Sequence, residues 1–142
     1  MEPKTSFIGE NSKSNFSKRP SIYTDFFLQK WIEPLQIEEK VESLKKEGKT
    51  IATLNGSFDL LHAGHLHIIY EASLQADVLI VALNTDASIR SYKSIQRPII
   101  SLNDRARMMA ALTFVDYVTC FEETDPRQIL KKIEIGRASC RE

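Results

Sequence analysis

Apolar residues along the chain recur at two spacings, and the spacing changes several times. Tyr23, Phe26, Phe27 and Trp31 fall on one helical stripe within 22–32, and Pro34 ends that run. Ile37, Val41 and Leu44 mark one face of a second helix over 37–46, with Gly48 placed to cap it in a left-handed conformation. From there strands and helices alternate. Residues 50–54 form a short β-branched and apolar run, and Asn55-Gly56-Ser57 reads as a turn. A helix is expected from about 62 to 74, with Leu66, Ile69 and Ala72 inward. The stretch 77–84 is almost wholly apolar, as a strand covered on both faces must be. Residues 85–100 read as a polar loop ending in Arg97-Pro98. Ser101 and Asp104 suggest a capping box ahead of a helix over 102–112, 117–121 a third strand, and Asp125-Pro126 the start of a last helix running towards Ile133. Strand and helix in alternation predict an α/β fold: a Rossmann-like parallel sheet with right-handed crossovers and helices on both faces, in three α/β/α layers.

Composition narrows the class. The chain has 142 residues, enough for one ordinary domain, with 42% hydrophobic and 27% charged residues. Nineteen basic residues balance nineteen acidic ones, so no global positive field exists to hold a nucleic acid. No apolar run approaches the ~20 residues of a membrane span, and residues 1–20 lack the apolar core of a signal peptide. A cytoplasmic location and small-molecule partners, with no nucleic acid and no membrane, are therefore expected. The two cysteines do not make a disulfide framework. Residues 1–20, rich in Ser and Lys, read as a flexible tail. Residues 21–48 read as a helical segment docking on the domain or on a partner, and 49–133 as the domain proper.

The chemistry concentrates between the first strand and the first crossover helix. His62 and His65 are three apart, so on one helical turn their rings can face one ligand. Gly64 leaves room for a phosphate to approach the backbone, and the helix N-terminus favours an anion. A zinc site is disfavoured: the pair is not spaced i, i+4, and no close third ligand accompanies it. A structural role for one histidine remains open, and His67 should be an ordinary surface residue. Asn84 and Asp86 end the second strand at the same sheet edge, where they could meet a ligand or cap the turn.

Gly56-Ser57-Phe58-Asp59-Leu60-Leu61-His62-Ala63-Gly64-His65 resembles the signature of the HxGH nucleotidyltransferases, the cytidylyltransferase-like superfamily. The likeness continues through 81–90, Lys93, Arg97-Pro98-Ile99, Asp104-Arg105-Ala106 and Val115-Asp116-Tyr117-Val118. These blocks, covering about 37–133, are most similar to D-glycero-β-D-manno-heptose 1-phosphate adenylyltransferases. Ser57 stands where that family often has Cys. The resemblance implies that a sugar 1-phosphate attacks the α-phosphorus of ATP and releases pyrophosphate, with Mg²⁺ held mainly by phosphates and water. It assigns His62, His65 and Lys93 to catalysis. Gly56, Ser57, Phe58, Asp59, Gly64, Asn84, Asp86 and Arg105 are assigned to nucleotide or phosphate binding. Lys93 could equally be a solvated loop residue, and Arg105 half of a surface ion pair.

The resemblance further implies lipopolysaccharide core synthesis and a homodimer. Its nearest rivals are glycerol-3-phosphate cytidylyltransferase and a non-catalytic nucleotide-binding or assembly module. Family members carry further strands and a nucleotide-lining turn that this sequence lacks. Residues 134–142 match the translation of a common sequencing-adapter DNA and are expected to be an artefactual tail. A sheet of order 3-2-1 would then leave 50–54 as an apolar edge, and ATP binding by this chain should be weak.

Overall fold

The computed structural model describes residues 27–133 and the backbone of 140–141. The expected tail over 1–20, residues 21–26 with Tyr23 and Phe26 of the stripe, and residues 134–139 and 142 lie outside the described residues. A short 3-10 turn, Pro34–Gln36, leads into α1, Ile37–Lys46. Then follow β1 (Ile51–Gly56), α2 (Ala63–Ser73), β2 (Val78–Asn84), α3 (Asp86–Tyr92), α4 (Leu102–Ala110), β3 (Tyr117–Phe121), α5 (Arg127–Ile133) and β4 (Cys140–Arg141).

The strand order is β3-β2-β1-β4, and every pairing is parallel. β2 is central and buried along its whole length. Its alternating side chains build two cores. Leu79, Val81 and Leu83 join Ile69 of α2 and Ala106 and Met109 of α4 on one face. Val78, Ile80 and Ala82 join Ile37, Val41 and Leu44 of α1 and Ile129 and Ile133 of α5 on the other. This is the expected three-layer arrangement.

Several local expectations need correction. β1 extends through Asn55 and Gly56, which read as a turn, because both continue the pairing to Ala82 and Leu83. Leu66 is partly exposed; the inward face of α2 is formed by His65 and Ile69. The polar stretch after β2 contains α3, capped by Thr85, whose Oγ1 accepts the Ser88 N–H at 3.2 Å. The edge of β1 is not wholly bare, since Leu54 and Asn55 pair with Cys140 and Arg141 of β4. At the opposite edge Trp31 bridges to Val118 of β3, which covers that strand. Phe27 and Trp31 pack against the domain's own core, and Lys30 Nζ donates to the carbonyls of Leu112 and Val115 at 2.9 and 2.6 Å. At the end of α1, Gly48 adopts φ +76°, the conformation expected of it.

Candidate active site

The carboxyl ends of β1 and β2 open towards one region, as in other open parallel sheets. Leaving β1, the chain passes through Phe58 at φ 45°. A bulky residue there is strained by roughly 1–3 kcal/mol. Burial to 2% exposure holds it in place, and its ring meets the edge of His65 at 5.3 Å between centroids. Phe58 thus packs against one imidazole of the pair.

His62 is the N-cap of α2. Its Nδ1 accepts the Gly64 N–H at 3.1 Å, while the His62 N–H donates to His65 Nδ1 at 3.4 Å. This is a capping box built from two imidazoles in place of a hydroxyl and a carboxylate. The rings stack, with centroids 3.7 Å apart and planes 24° from parallel. Because both Nδ1 atoms accept, the hydrogen-bond network assigns each neutral ring its proton on Nε2. Two Nε2–H donors therefore belong to one stacked pair at a helix N-terminus. His67, on the same helix, is exposed.

Gly64 also leaves room for the His62 ring. A Cβ at Gly64 would stand 3.0 Å from His62 Cε1 and 3.1 Å from Nδ1. The ring of His62 lies over this residue, so a side chain there would push the capping ring by a few tenths of an ångström.

A cavity of about 420 Å³ lies beside the start of the same loop. Asn55, Gly56, Ser57, Asn84, Lys93 and Phe121 are among its lining residues. Lys93, just past α3, donates from Nζ to Ser57 Oγ at 2.7 Å. The imidazole pair is not part of this lining; it stands at the far end of the 57–62 loop. The site therefore has two parts, an amide- and ammonium-lined cavity and a stacked histidine pair. Asn55, Tyr92, Phe121, Thr124 and Pro126 line the cavity and were not singled out from the sequence. Asn55 was signalled only by its position beside Gly56, and its Oδ1 is buried without a partner.

Three residues assigned by resemblance to phosphate binding also tie the surrounding segments together: Arg105 and Asp59 are buried, and Asp86 is partly exposed. Arg105 is 1% exposed, which excludes the surface ion pair. Its guanidinium donates to the carbonyls of Ser57 (2.7 Å), Asn84 (3.0 Å) and Ile100 (3.0 Å) and to Asp86 Oδ1 (2.6 Å). It ties the ends of β1 and β2 together. Asp86 also accepts the Leu102 N–H at 2.9 Å. Asp59 accepts the N–H groups of Ile99 and Ile100, each at 2.8 Å, and pairs with Arg97 at 2.6 Å. Burial alone would push the Asp59 carboxyl up. The Ile100 and Ile99 amides and the Arg97 guanidinium outweigh it and hold the group below the usual carboxylate range. Asn84 lines the cavity and donates from Nδ2 to Ser88 Oγ at 3.0 Å.

Among the described residues no three His, Cys, Asp or Glu side chains gather as a metal site. Asp59 in the loop and Asp86 beside it are already held by N–H and guanidinium donors, so the described residues offer Mg²⁺ no preformed carboxylate set.

Comparison with known proteins places this architecture. The sequence model of the family described as Cytidylyltransferase-like matches residues 53–138. The chain belongs to that family. Curated relatives include the Bifunctional protein HldE of Helicobacter pylori strain G27, 43% identical over 100 residues, 70% of this chain and 22% of that protein. The HldE of Campylobacter curvus is 45% identical over 97 residues, 68% of this chain and 21% of that protein. The chain thus spans about a fifth of the length of these relatives. A crystal structure of the lipopolysaccharide core biosynthesis protein from Thermoplasma volcanium superposes with a TM-score of 0.56 at 28% identity, covering 62% of this chain and 70% of that one. No helix among the described residues is long and apolar enough to cross a membrane.

Proposed function

We propose that this chain is the nucleotidyl-transfer domain of a heptose 1-phosphate adenylyltransferase, joining ATP to the sugar phosphate with release of pyrophosphate. The observation that carries the reading is the stacked His62–His65 pair with both Nδ1 atoms accepting. HldE relatives and the lipopolysaccharide-core neighbour support the choice of acceptor.

The reaction forms one bond and breaks another at a single phosphorus. An oxygen of the sugar 1-phosphate attacks the α-phosphorus of ATP, and the bond to the bridging oxygen breaks. The electron pair leaves with pyrophosphate, and no covalent bond to the protein is made. Negative charge builds on the equatorial and leaving oxygens, so the protein's task is to place donors where that charge grows. His62 and His65 donate from Nε2. Lys93, with a compact ammonium on a long stem at the cavity, balances charge on the phosphates. Asn55 and Asn84 give the cavity amide groups suited to a polyhydroxylated acceptor. Mg²⁺ held by the phosphates would add charge neutralisation without needing a carboxylate from this chain.

The test is pyrophosphate release by this chain at high nucleotide concentration, with ATP or CTP crossed against heptose 1-phosphate or glycerol 3-phosphate. The reading predicts the highest rate for ATP with heptose 1-phosphate and a fall of about 10²–10³ in His62→Ala. Preference for CTP with glycerol 3-phosphate, or a His62→Ala variant as active as the parent, would overturn it. No turnover with any pair would favour a non-catalytic module.

A further inference from the structure

The segment between α3 and α4 returns across the β1–α2 loop, and the two meet at Asp59. This carboxylate is 5% exposed and takes three donors from one short stretch: Arg97 Nη1 at 2.6 Å and the amides of Ile99 and Ile100 at 2.8 Å. Four residues before Arg97 stands Lys93, whose Nζ donates to Ser57 Oγ at 2.7 Å. The loop is therefore tied at 57 and 59 to a segment tied at 93 and 97–100.

We propose that Asp59 is a positioning residue, which clamps the 97–100 stretch and so holds Lys93 at the cavity where its ammonium meets a substrate phosphate. The proposal rests on the nucleotidyl-transfer reading of this site and names a part that the reading does not need. Three observations carry it. The Lys93 backbone is held only at the end of α3, its N–H donating to the Ile89 carbonyl at 2.9 Å, and residues 94–101 beyond it form no regular helix or strand that could fix their own course. A lysine side chain loses rotamer entropy when it is immobilised, so fixing the segment that follows it lowers the cost of presenting it. A bare carboxylate beside polyphosphate would repel it, whereas this one is turned inward and neutralised by Arg97.

The experiment is a double-mutant cycle on the full 142-residue chain. Asp59→Asn keeps an oxygen for the amides but sets an NH₂ against Arg97; Lys93→Ala removes the ammonium. Each should lower kcat/KM by about tenfold, and the double variant should fall little below the worse single one. Arg97→Gln, which breaks the clamp at its more exposed partner, repeats the measurement should Asp59→Asn fail to fold. Multiplying losses in the cycle would overturn the proposal, because Asp59 would then act independently of Lys93.

Two readouts need no turnover. Affinity for inorganic pyrophosphate alone should fall as much in Asp59→Asn as in Lys93→Ala. Amide exchange at Ile99 and Ile100 should rise in Asp59→Asn. Unchanged pyrophosphate affinity in Asp59→Asn, beside a clear loss in Lys93→Ala, would also overturn the clamp. A parent chain inactive with every substrate pair would sink the adenylyl-transfer reading while leaving this binding comparison to decide the clamp.

Discussion

Two stretches of this molecule face each other across one site and are held together in opposite ways. The β1–α2 loop ends in a histidine pair whose hydrogen bonds join residues two and three apart. The 85–105 stretch is held by bonds that reach 16 residues from Asp86 to Leu102 and 48 from Arg105 to Ser57. The first presents imidazole donors; in the second, Lys93 lines the cavity, while Asp86 and Arg105 turn their charges inward to brace the ends of the strands that carry the first. Charged side chains near the candidate site therefore divide by what satisfies them in the fold, and proximity alone does not make a ligand.

The sharpest way to break the comparison is Arg105→Met. It leaves three buried or half-buried carbonyls and Asp86 without their donor. Stability should fall by about 3–5 kcal/mol, the range for breaking a buried ion pair, seen as a lower urea midpoint with unchanged slope. A change within about 0.5 kcal/mol would show that Arg105 does not brace the fold.

Gly64→Ala tests the opposite stretch. The new Cβ improves helix propensity by up to about 1 kcal/mol, while pushing the His62 ring weakens a cap of about the same size. Net stability should barely move, yet transfer should drop by up to about tenfold as the imidazole shifts by a few tenths of an ångström. A variant as active as the parent would show that the ring's position is not critical.

The two stretches differ in legibility for the same reason that they differ in bonding. Short-range ties leave a pattern in the sequence, so His62, Gly64 and His65 could be read from their spacing, and α1 and β2 from their periodicity. Long-range ties leave none. Nothing local to Arg105 says that it reaches Ser57 and Asn84, and a basic residue on a polar helix face reads as exposed. α3 was hidden for a related reason. Its seven residues carry one apolar anchor, Ile89, and its cap bond from Thr85 to Ser88 is the only local signal. Asn55 and Gly56 read as a turn because their residue types favour one, but pairing with β2 overrides that preference.

A smaller effect sharpens the same contrast through pH. The Asp59 carboxyl is held below the usual range in the folded chain. Its stabilising contribution is therefore complete above the unfolded carboxylate value of about 3.9 and is lost as pH falls through the lower folded value. Amide exchange at Ile99 and Ile100, corrected for intrinsic rate, should stay protected down to about pH 4 and rise only below it. Protection already lost well above that would mean that the clamp is weaker than its geometry.

The most direct measurement is ¹⁵N-imidazole NMR of the three histidines during a titration with ATP. Before nucleotide, His62 and His65 should both show the tautomer protonated at Nε2. On adding ATP, their Nε2 signals should move together while exposed His67 on the same helix stays still. Nε2 signals of His62 and His65 that do not respond, or that respond no more than His67, would contradict the paired-imidazole site.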